Sequence, residues 1–302
     1  MKKLKSIITG GAGFIGSNLA DHLVNAGHKV IVLDNFVSGK KINLSHHKKK
    51  NLKIIKIDIS TNKDLKKHFK GVDFVFHLAG LAEIIPSFKN PKKYFLNNVL
   101  GTLNVLEAAK KEKIKKLIYA ASSSCYGNPS TFPTSEKTKI DLKHPYALTK
   151  FMGEELVMNY ASIFNMPNIS FRFFNIYGPR LKTSGPYSAV IGKFLKQKKN
   201  RKCLTIVGDG KQTRDFIHVD DLADVFLKII KSKYVNKIYN LGSGKKTSIN
   251  TIAKIFNGKK KFIPIRPGEP KNSVANIKKI KKEINWKPKI SIEQGIKNLL
   301  SS

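Results

Sequence analysis

Tyr146 and Lys150 stand four residues apart, and on a helix that spacing puts both side chains on one face, one turn from each other. An ammonium beside a phenol favours the phenolate and draws the tyrosine pKa down from about 10 toward neutrality. Such a phenolate can take a proton from an alcohol while hydride leaves the same carbon. Ser122, Ser123 and Ser124 follow the short apolar run 117–121, where a hydroxyl could bridge the substrate oxygen to Tyr146. A Tyr and Lys pair at this spacing is common by chance. Its force depends on a hydride acceptor held nearby.

The chain offers a place for one. The run ending at Thr9 passes directly into Gly10, Gly11, Ala12, Gly13, Phe14, Ile15 and Gly16. Gly10 permits a tight turn, Gly13 lets backbone amides approach a pyrophosphate, and Gly16 allows the next helix to pack closely on the strand. Asp34 comes 18 residues after Gly16, with Asn35 beside it. An acid near this spacing accepts from both adenosine ribose hydroxyls and repels a 2′-phosphate, which reads as NAD over NADP. Asp58 and Ile59 are placed to meet the adenine, although Asp58 could instead cap the following helix.

These residues need a scaffold that gathers strand ends. Short runs rich in β-branched or aromatic residues at 6–9, 29–33, 53–57, 74–77, 117–121 and 170–173 alternate with helical patterns at 14–26, 64–69, 92–111 and 145–165. That alternation predicts an α/β fold, a Rossmann-type doubly wound parallel sheet, because parallel crossovers require such connections. Beyond about residue 175 the rhythm changes, with strands expected at 204–207, 215–218 and 237–241 and helices near 190–198, 220–231, 249–257 and 277–284. The expected organisation is an NAD-binding domain over 1–175, with later segments returning to it, and a smaller substrate-binding lobe over 176–302. The groove between them is the expected ligand site.

Several further motifs occur in order: HLAG at His77–Gly80, NNVLGT at Asn97–Thr102, YAASSSCYG at Tyr119–Gly127, YALTK at Tyr146–Lys150, RFFNIYGPR at Arg172–Arg180 and TRDFIHVDD at Thr213–Asp221. Together with the glycine turn they make the chain resemble the extended short-chain dehydrogenase/reductases, and within them the NAD-dependent nucleotide-sugar epimerases, from Ile7 to about Trp286. The resemblance implies that Phe14 and Ile15 lie over the pyrophosphate, that Leu78, Ala79, Gly80 and Phe174 line NAD, and that Asn98 holds its nicotinamide half. Ser122, Tyr146 and Lys150 would be catalytic, with Lys150 also on the nicotinamide ribose. Asn175, Ala189, Val190, Arg214, Arg266 and Glu269 match positions that hold the nucleotide diphosphate of a UDP-sugar. Two of those are Arg, whose rigid fork suits a diphosphate better than Lys does. Family members commonly dimerise through two long helices, here those around 92–111 and 145–165.

The residues after Ser122 separate activities within the family. Its 4,6-dehydratases usually carry Asp and Glu there, and its uronic acid decarboxylases usually keep a Glu. Ser123 and Ser124 do not titrate near neutrality, so a 4-epimerase of a UDP-hexose or UDP-N-acetylhexosamine is the better reading than a dehydratase, decarboxylase or keto-sugar reductase. Ser273 aligns with a place where a small residue admits an N-acetyl group. Glu83 departs from the pattern, since these epimerases typically have a small or neutral residue there. Pointing into the pocket it disfavours a uronic acid; pointing to solvent it means nothing.

Composition bounds the rest. The 302 residues carry 57 Lys and Arg against 20 Asp and Glu, a formal charge of +37. That balance invites a polyanion partner, yet only Arg172, Arg180, Arg201, Arg214 and Arg266 are arginines, and the lysines are scattered like a solvated surface. No nucleic acid partner is expected. A non-catalytic dinucleotide sensor on this fold would commonly lack the Tyr and Lys pair, which is present. Cys125 and Cys203 make no disulfide framework and stand at no metal-ligand spacing, and no long apolar stretch follows the basic start. A cytoplasmic location without membrane association is the expectation, with no metal.

Overall fold

The computed structural model describes residues 3–61, 65–183, 189–265 and 271–301. The chain divides into two compact units, one of residues 1–125, 142–172 and 223–239, the other of residues 126–141, 173–222 and 240–302.

The first unit opens with β1 (Lys5–Thr9), α1 (Phe14–Asn25), β2 (Lys29–Asp34), β3 (Leu52–Lys56), α2 (Lys66–Phe69) and β4 (Phe74–His77). It continues with α3 (Ile84–Lys89), α4 (Pro91–Phe95), α5 (Gly101–Lys110), β5 (Lys116–Ser122), α6 (Pro145–Ile163) and β6 (Asn168–Phe173). β4 and β5 are buried along their whole length, as apolar strands covered on both faces must be. The helix expected over 92–111 is three pieces: α4 and α5 are joined by a π-helical turn, Leu96–Leu100. The core of this unit gathers Ile7, Val75, Leu117 and Tyr119 from the sheet with Val105, Leu106 and Val157 from the helices.

The second unit contributes β7 (Asn175–Tyr177), α7 (Val190–Lys199), β8 (Leu204–Val207), β9 (Thr213–Arg214) and β10 (Phe216–His218). Then come α8 (Val219–Lys231) and β11 (Lys237–Leu241), of which residues 223–239 count with the first unit. β12 (Thr247–Ser248), α9 (Ile249–Phe256), β13 (Lys260–Ile263), α10 (Lys278–Ile284) and α11 (Ile292–Ser301) complete the second. Its core packs Phe194, Leu204, Ile206, Ile252, Phe256 and Ile296. The strand expected from 215 starts at Phe216 because the Asp215 carboxylate serves the backbone elsewhere: it accepts from the amides of Ser243, Gly244 and Ala275. Neither α11 nor α3 was foreseen, nor were the short strands β7, β9, β12 and β13. For α11 a signal existed in Ser291, whose Oγ accepts from the Gln294 amide at 3.1 Å in a cap.

The main sheet has seven strands in the order β11-β6-β5-β4-β1-β2-β3. β1 pairs in parallel with both β2 and β4. The chain therefore winds outward in two directions from the β1/β4 junction, and in such sheets ligands bind beyond the carboxyl ends of the strands at that junction. Among the described residues no helix is long and apolar enough to cross a membrane.

Candidate active site

β1 ends in a turn whose shape only glycine tolerates. Gly10 has φ +67°, and a Cβ there would stand 2.8 Å from the Ala79 Cα; a Cβ on Gly16 would run into the Gly10 carbonyl. α1 thus begins close against the strand end, with Gly13 as its N-cap and no acidic residue in its first turn. Its leading amides present the positive end of a twelve-residue helix, suited to a pyrophosphate. Phe14 and Ile15 are half-buried in that first turn.

Asp34 ends β2 with both oxygens oriented: Oδ2 accepts from the Ala12 amide at 2.9 Å and Oδ1 from the Phe36 amide at 2.7 Å. Each oxygen keeps a further lone pair for a hydroxyl donor. Asn35 Nδ2 donates to Asp58 Oδ2 at 3.0 Å, which ties two of the expected adenosine-side residues together. Burial raises the Asp58 pKa, but hydrogen bonds from Ser60 and Asn35 outweigh it and hold the carboxyl below its usual range. Ile59 is buried, and its carbonyl accepts from Asn104. The cradle, the oriented carboxylate and the uncapped helix end fit a dinucleotide.

Past β4, Leu78, Ala79 and Gly80 run alongside the glycine turn. Thr9 Oγ1 accepts from the Ala79 amide at 3.2 Å and bonds His77 Nδ1 at 2.7 Å, while His77 Nε2 meets Thr102 Oγ1 at 2.9 Å. Burial, reinforced by the charge of Lys150, presses the His77 pKa down to about 3, so the ring stays neutral and can donate from one nitrogen while accepting at the other. Thr102 Oγ1 also donates to the Asn98 carbonyl at 2.6 Å, inside the π turn. The Asn98 side chain is taken up by protein partners: Oδ1 accepts from the Leu81 amide, and Nδ2 donates to the Leu81 carbonyl and to Thr149 Oγ1. Both amide protons are used, so Asn98 sets the course of the loop after β4 and leaves one acceptor lone pair for anything else.

α6 carries the reacting pair. His144 is its N-cap, accepting from the Ala147 amide through Nδ1 at 3.1 Å, and Pro145 opens the helix with a φ already suited to it. Tyr146 therefore sits in the first turn of a nineteen-residue helix, where the dipole favours an anion. Its ring stacks on His144 at 5.8 Å and meets Tyr94 edge-on at 6.5 Å. Lys150 is buried one turn on, with Nζ 4.3 Å from the centre of the Tyr119 ring. A side chain at Gly80 would lie 2.9 Å from Asn98 Oδ1 and 3.8 Å from Lys150 Nζ, so the loop after β4 and the lysine meet.

The electrostatics differ from the expectation that Lys150 draws the Tyr146 pKa down. Burial raises it, hydrogen bonding with Ser122 opposes that rise, and Cys125 adds to it. Burial pulls Lys150 itself down to about 7, against the upward influence of Glu154, which thins its positive charge near neutrality. Ser122 is buried at the end of β5 and accepts from the Ser124 amide at 3.2 Å; Ser123 and Ser124 are half-buried in the helical turn Ser123–Tyr126. Burial lifts the Cys125 thiol to about 12, so it stays protonated.

Glu154 and Tyr94 are contributors that the motifs did not single out. Glu154 continues the i, i+4 series from Tyr146 and Lys150, and that spacing was a usable signal. It is buried and bonded to Arg172 Nη2 at 2.6 Å, Arg172 Nε at 3.0 Å and Ser170 Oγ at 2.8 Å. Glu83 is half-buried; its carbonyl accepts from the Tyr94 hydroxyl at 2.6 Å, and burial together with the Glu83 charge raises the Tyr94 pKa to about 12.

Asn175, Ala189, Val190 and Arg214, expected on the nucleotide diphosphate, belong to the second unit. Asn175 is held to Asp215 through its amide and Nδ2, and Phe174 is buried, donating from its amide to the Leu241 carbonyl. Arg214 Nη1 donates to the Thr213 carbonyl at 2.8 Å. Thr213 Oγ1 in turn donates to Asn272 Oδ1 at 2.8 Å, and its amide to the Lys271 carbonyl, so the strand bearing Arg214 is fastened to the segment bearing half-buried Ser273. Ala189 caps α7 and Val190 begins it. Arg266 and Glu269 lie outside the described residues.

Fold and site together define a dinucleotide-dependent enzyme of the extended short-chain dehydrogenase/reductase class. The model of the NAD dependent epimerase/dehydratase family matches residues 6–242. A Methanocaldococcus jannaschii protein with the provisional name UDP-glucose 4-epimerase is 36% identical over 98% of this chain and 97% of its own length. The UDP-N-acetyl-alpha-D-glucosaminuronate decarboxylase of Bacillus cytotoxicus is 35% identical over 99% and 97%. A solved UDP-N-acetylglucosamine 4-epimerase from Methanobrevibacter ruminantium, in complex with UDP-N-acetylmuramic acid, superposes with a TM-score of 0.95 at 35% identity, covering 100% of this chain and 98% of that one. The chain belongs to the NAD-dependent epimerase/dehydratase family of nucleotide-sugar enzymes.

Proposed function

We propose that this enzyme is a 4-epimerase of a neutral UDP-hexose or UDP-N-acetylhexosamine, using NAD and acting as a homodimer. The observation that carries the reading is the acid–base content beside Ser122. Ser123, Ser124 and a thiol kept protonated follow it, so Tyr146 is the group equipped to move a proton at the sugar. Water elimination or decarboxylation would call on a further acid or base in those places.

Gly10, Gly13, Gly16, Asp34, Asn35 and the loop 78–80 would hold NAD, which when bound supplies the hydride acceptor and, in its oxidised form, a pyridinium charge. Tyr146, hydrogen-bonded to Ser122, takes the C4 hydroxyl proton as the carbinol becomes a ketone. Ser122 orients that oxygen, and Lys150 contributes positive charge next to the loop carrying Gly80. After the 4-keto sugar turns over, Tyr146 returns the proton as the alcohol re-forms on the opposite face. The net reaction consumes no oxidant.

Glu83 favours a neutral sugar over a uronic acid, because its charge reaches Tyr94, whose ring packs against Tyr146. The test is incubation with UDP-glucose, UDP-N-acetylglucosamine and UDP-glucuronic acid, each with NAD, followed by NMR. C4 epimers of the neutral sugars without loss of water or carbon dioxide are expected. A 4-keto-6-deoxy product or a pentose would overturn the reading.

A further inference from the structure

Away from the reacting residues, the first unit carries a cluster that the chemistry above does not use. His46 and His47 follow the helical turn Lys41–Leu44, and Asp21 faces them from α1. His46 Nε2 and His47 Nε2 lie 2.9 and 2.7 Å from one and the same oxygen, Asp21 Oδ1. The three donor atoms all fall within 4.8 Å of one another. The two imidazoles are 4.1 Å apart between ring centres. His47 is nearly covered, with 7% of its side chain exposed, whereas His46 is at 50% and Asp21 at 25%. The group lines a surface cleft of ≈ 600 Å³, along with Lys48 and Lys50.

Two nitrogens and a carboxylate oxygen converging in this way match the donor set of a borderline divalent cation rather than Mg²⁺ or Ca²⁺, which take oxygen ligands. Tetrahedral Zn²⁺, with bonds of about 2.0–2.1 Å, keeps neighbouring donors roughly 3.3 Å apart. Each imidazole then has to draw back from the carboxylate by roughly half an ångström. We propose that Asp21, His46 and His47 form a three-ligand site for a Zn²⁺-class cation, with the remaining coordination open to water in the cleft. The ammonium groups of Lys48 and Lys50 work against a cation there, so the site exchanges with chelator. Lys40 and Asn43, from the same segment as the histidines, both donate to the Ala12 carbonyl in the glycine turn, at 3.0 and 2.9 Å. A bound ion would fasten that segment to α1 behind the turn.

The test uses the untagged full chain, stripped with chelator and titrated with Co²⁺, reading visible d–d absorption, then with Zn²⁺ by calorimetry and thermal melting. One equivalent per chain is expected, with a higher melting temperature in Zn²⁺. His46→Gln and His47→Gln should each weaken binding by about tenfold or more. Because His46 is half exposed, H46Q should melt like the wild type without metal, which separates ligand loss from misfolding. Absence of saturable binding by the wild type, or full one-equivalent binding by the double variant, would assign the cluster to hydrogen bonding alone. None of these readouts involves turnover, so they stand or fall independently of the epimerase reading.

Discussion

Tyr146 illustrates how position, more than any one neighbour, prepares a residue. Burial works against its ionisation, while Ser122 and the start of α6 work for it. Tyr146→Phe removes the proton acceptor and should lower kcat by about 10²–10⁴-fold with the fold intact by circular dichroism. Ser122→Ala removes the hydrogen bond that opposes the raised pKa. Because the base acts as phenolate, the rising limb of kcat against pH should move to higher pH in S122A; an unmoved limb would deny Ser122 that role. Glu83→Ser addresses the sugar. It should raise kcat/KM for UDP-glucuronic acid relative to UDP-glucose, measured by competing the two substrates in one tube.

At the scale of elements, α6 is anchored by charges it buries. Glu154 and Arg172 join α6 to β6 with little exposure on either side chain, and Ser170 fills a further lone pair. Arg172→Met would strand the carboxylate and should cost about 3–5 kcal/mol in chemical denaturation, whereas the double variant with Glu154→Gln should recover part of that loss. The π turn between α4 and α5 is a comparable device. It sets Asn98 so that its carbonyl accepts from Thr102 and its side chain spans Leu81 and Thr149, and a sequence pattern of 3.6 residues cannot announce such a turn. β5 is fastened to the end of α8 by Lys116, whose Nζ donates to the carbonyls of Ile229 and Ser232 at 2.7 and 2.9 Å.

Across the whole molecule two buried lysines couple stability to pH. Burial lowers Lys116 to about 8 and Lys150 to about 7, so between those values and about 10.5 the unfolded chain holds protons that the folded chain has released. Stability should therefore rise with pH through that window, and Lys116→Met should flatten the rise in urea melts from pH 7 to 10. The charge of +37 invites a different experiment. If the lysines steer an anionic nucleotide sugar, kcat/KM should fall with ionic strength while kcat holds, since screening acts on encounter. Phe88, Phe95, Leu96 and Leu148, on or beside α3, α4 and α6, are large apolar side chains exposed in the single chain. The homodimer proposed above would cover them, and in that case Leu148→Glu should shift the protein to monomer in light scattering.

What the sequence determined by itself was whatever local order encodes. The glycine turn, the 18-residue interval to Asp34, the four-residue interval from Tyr146 to Lys150 and the alternation of strand and helix all repeat at short range, where backbone geometry translates spacing into position. Tertiary structure alone decided the partnerships between distant segments. Thr9 meets His77 across 68 residues, and Asp21 meets His46 and His47 across 25 and 26. β11 joins the edge of a sheet whose other strands lie before residue 174. The folded chain also reversed one local expectation, since the ammonium that spacing places beside Tyr146 is weakened by its own burial. Spacing fixes direction along one element, but the solvation of a charge depends on everything packed around it.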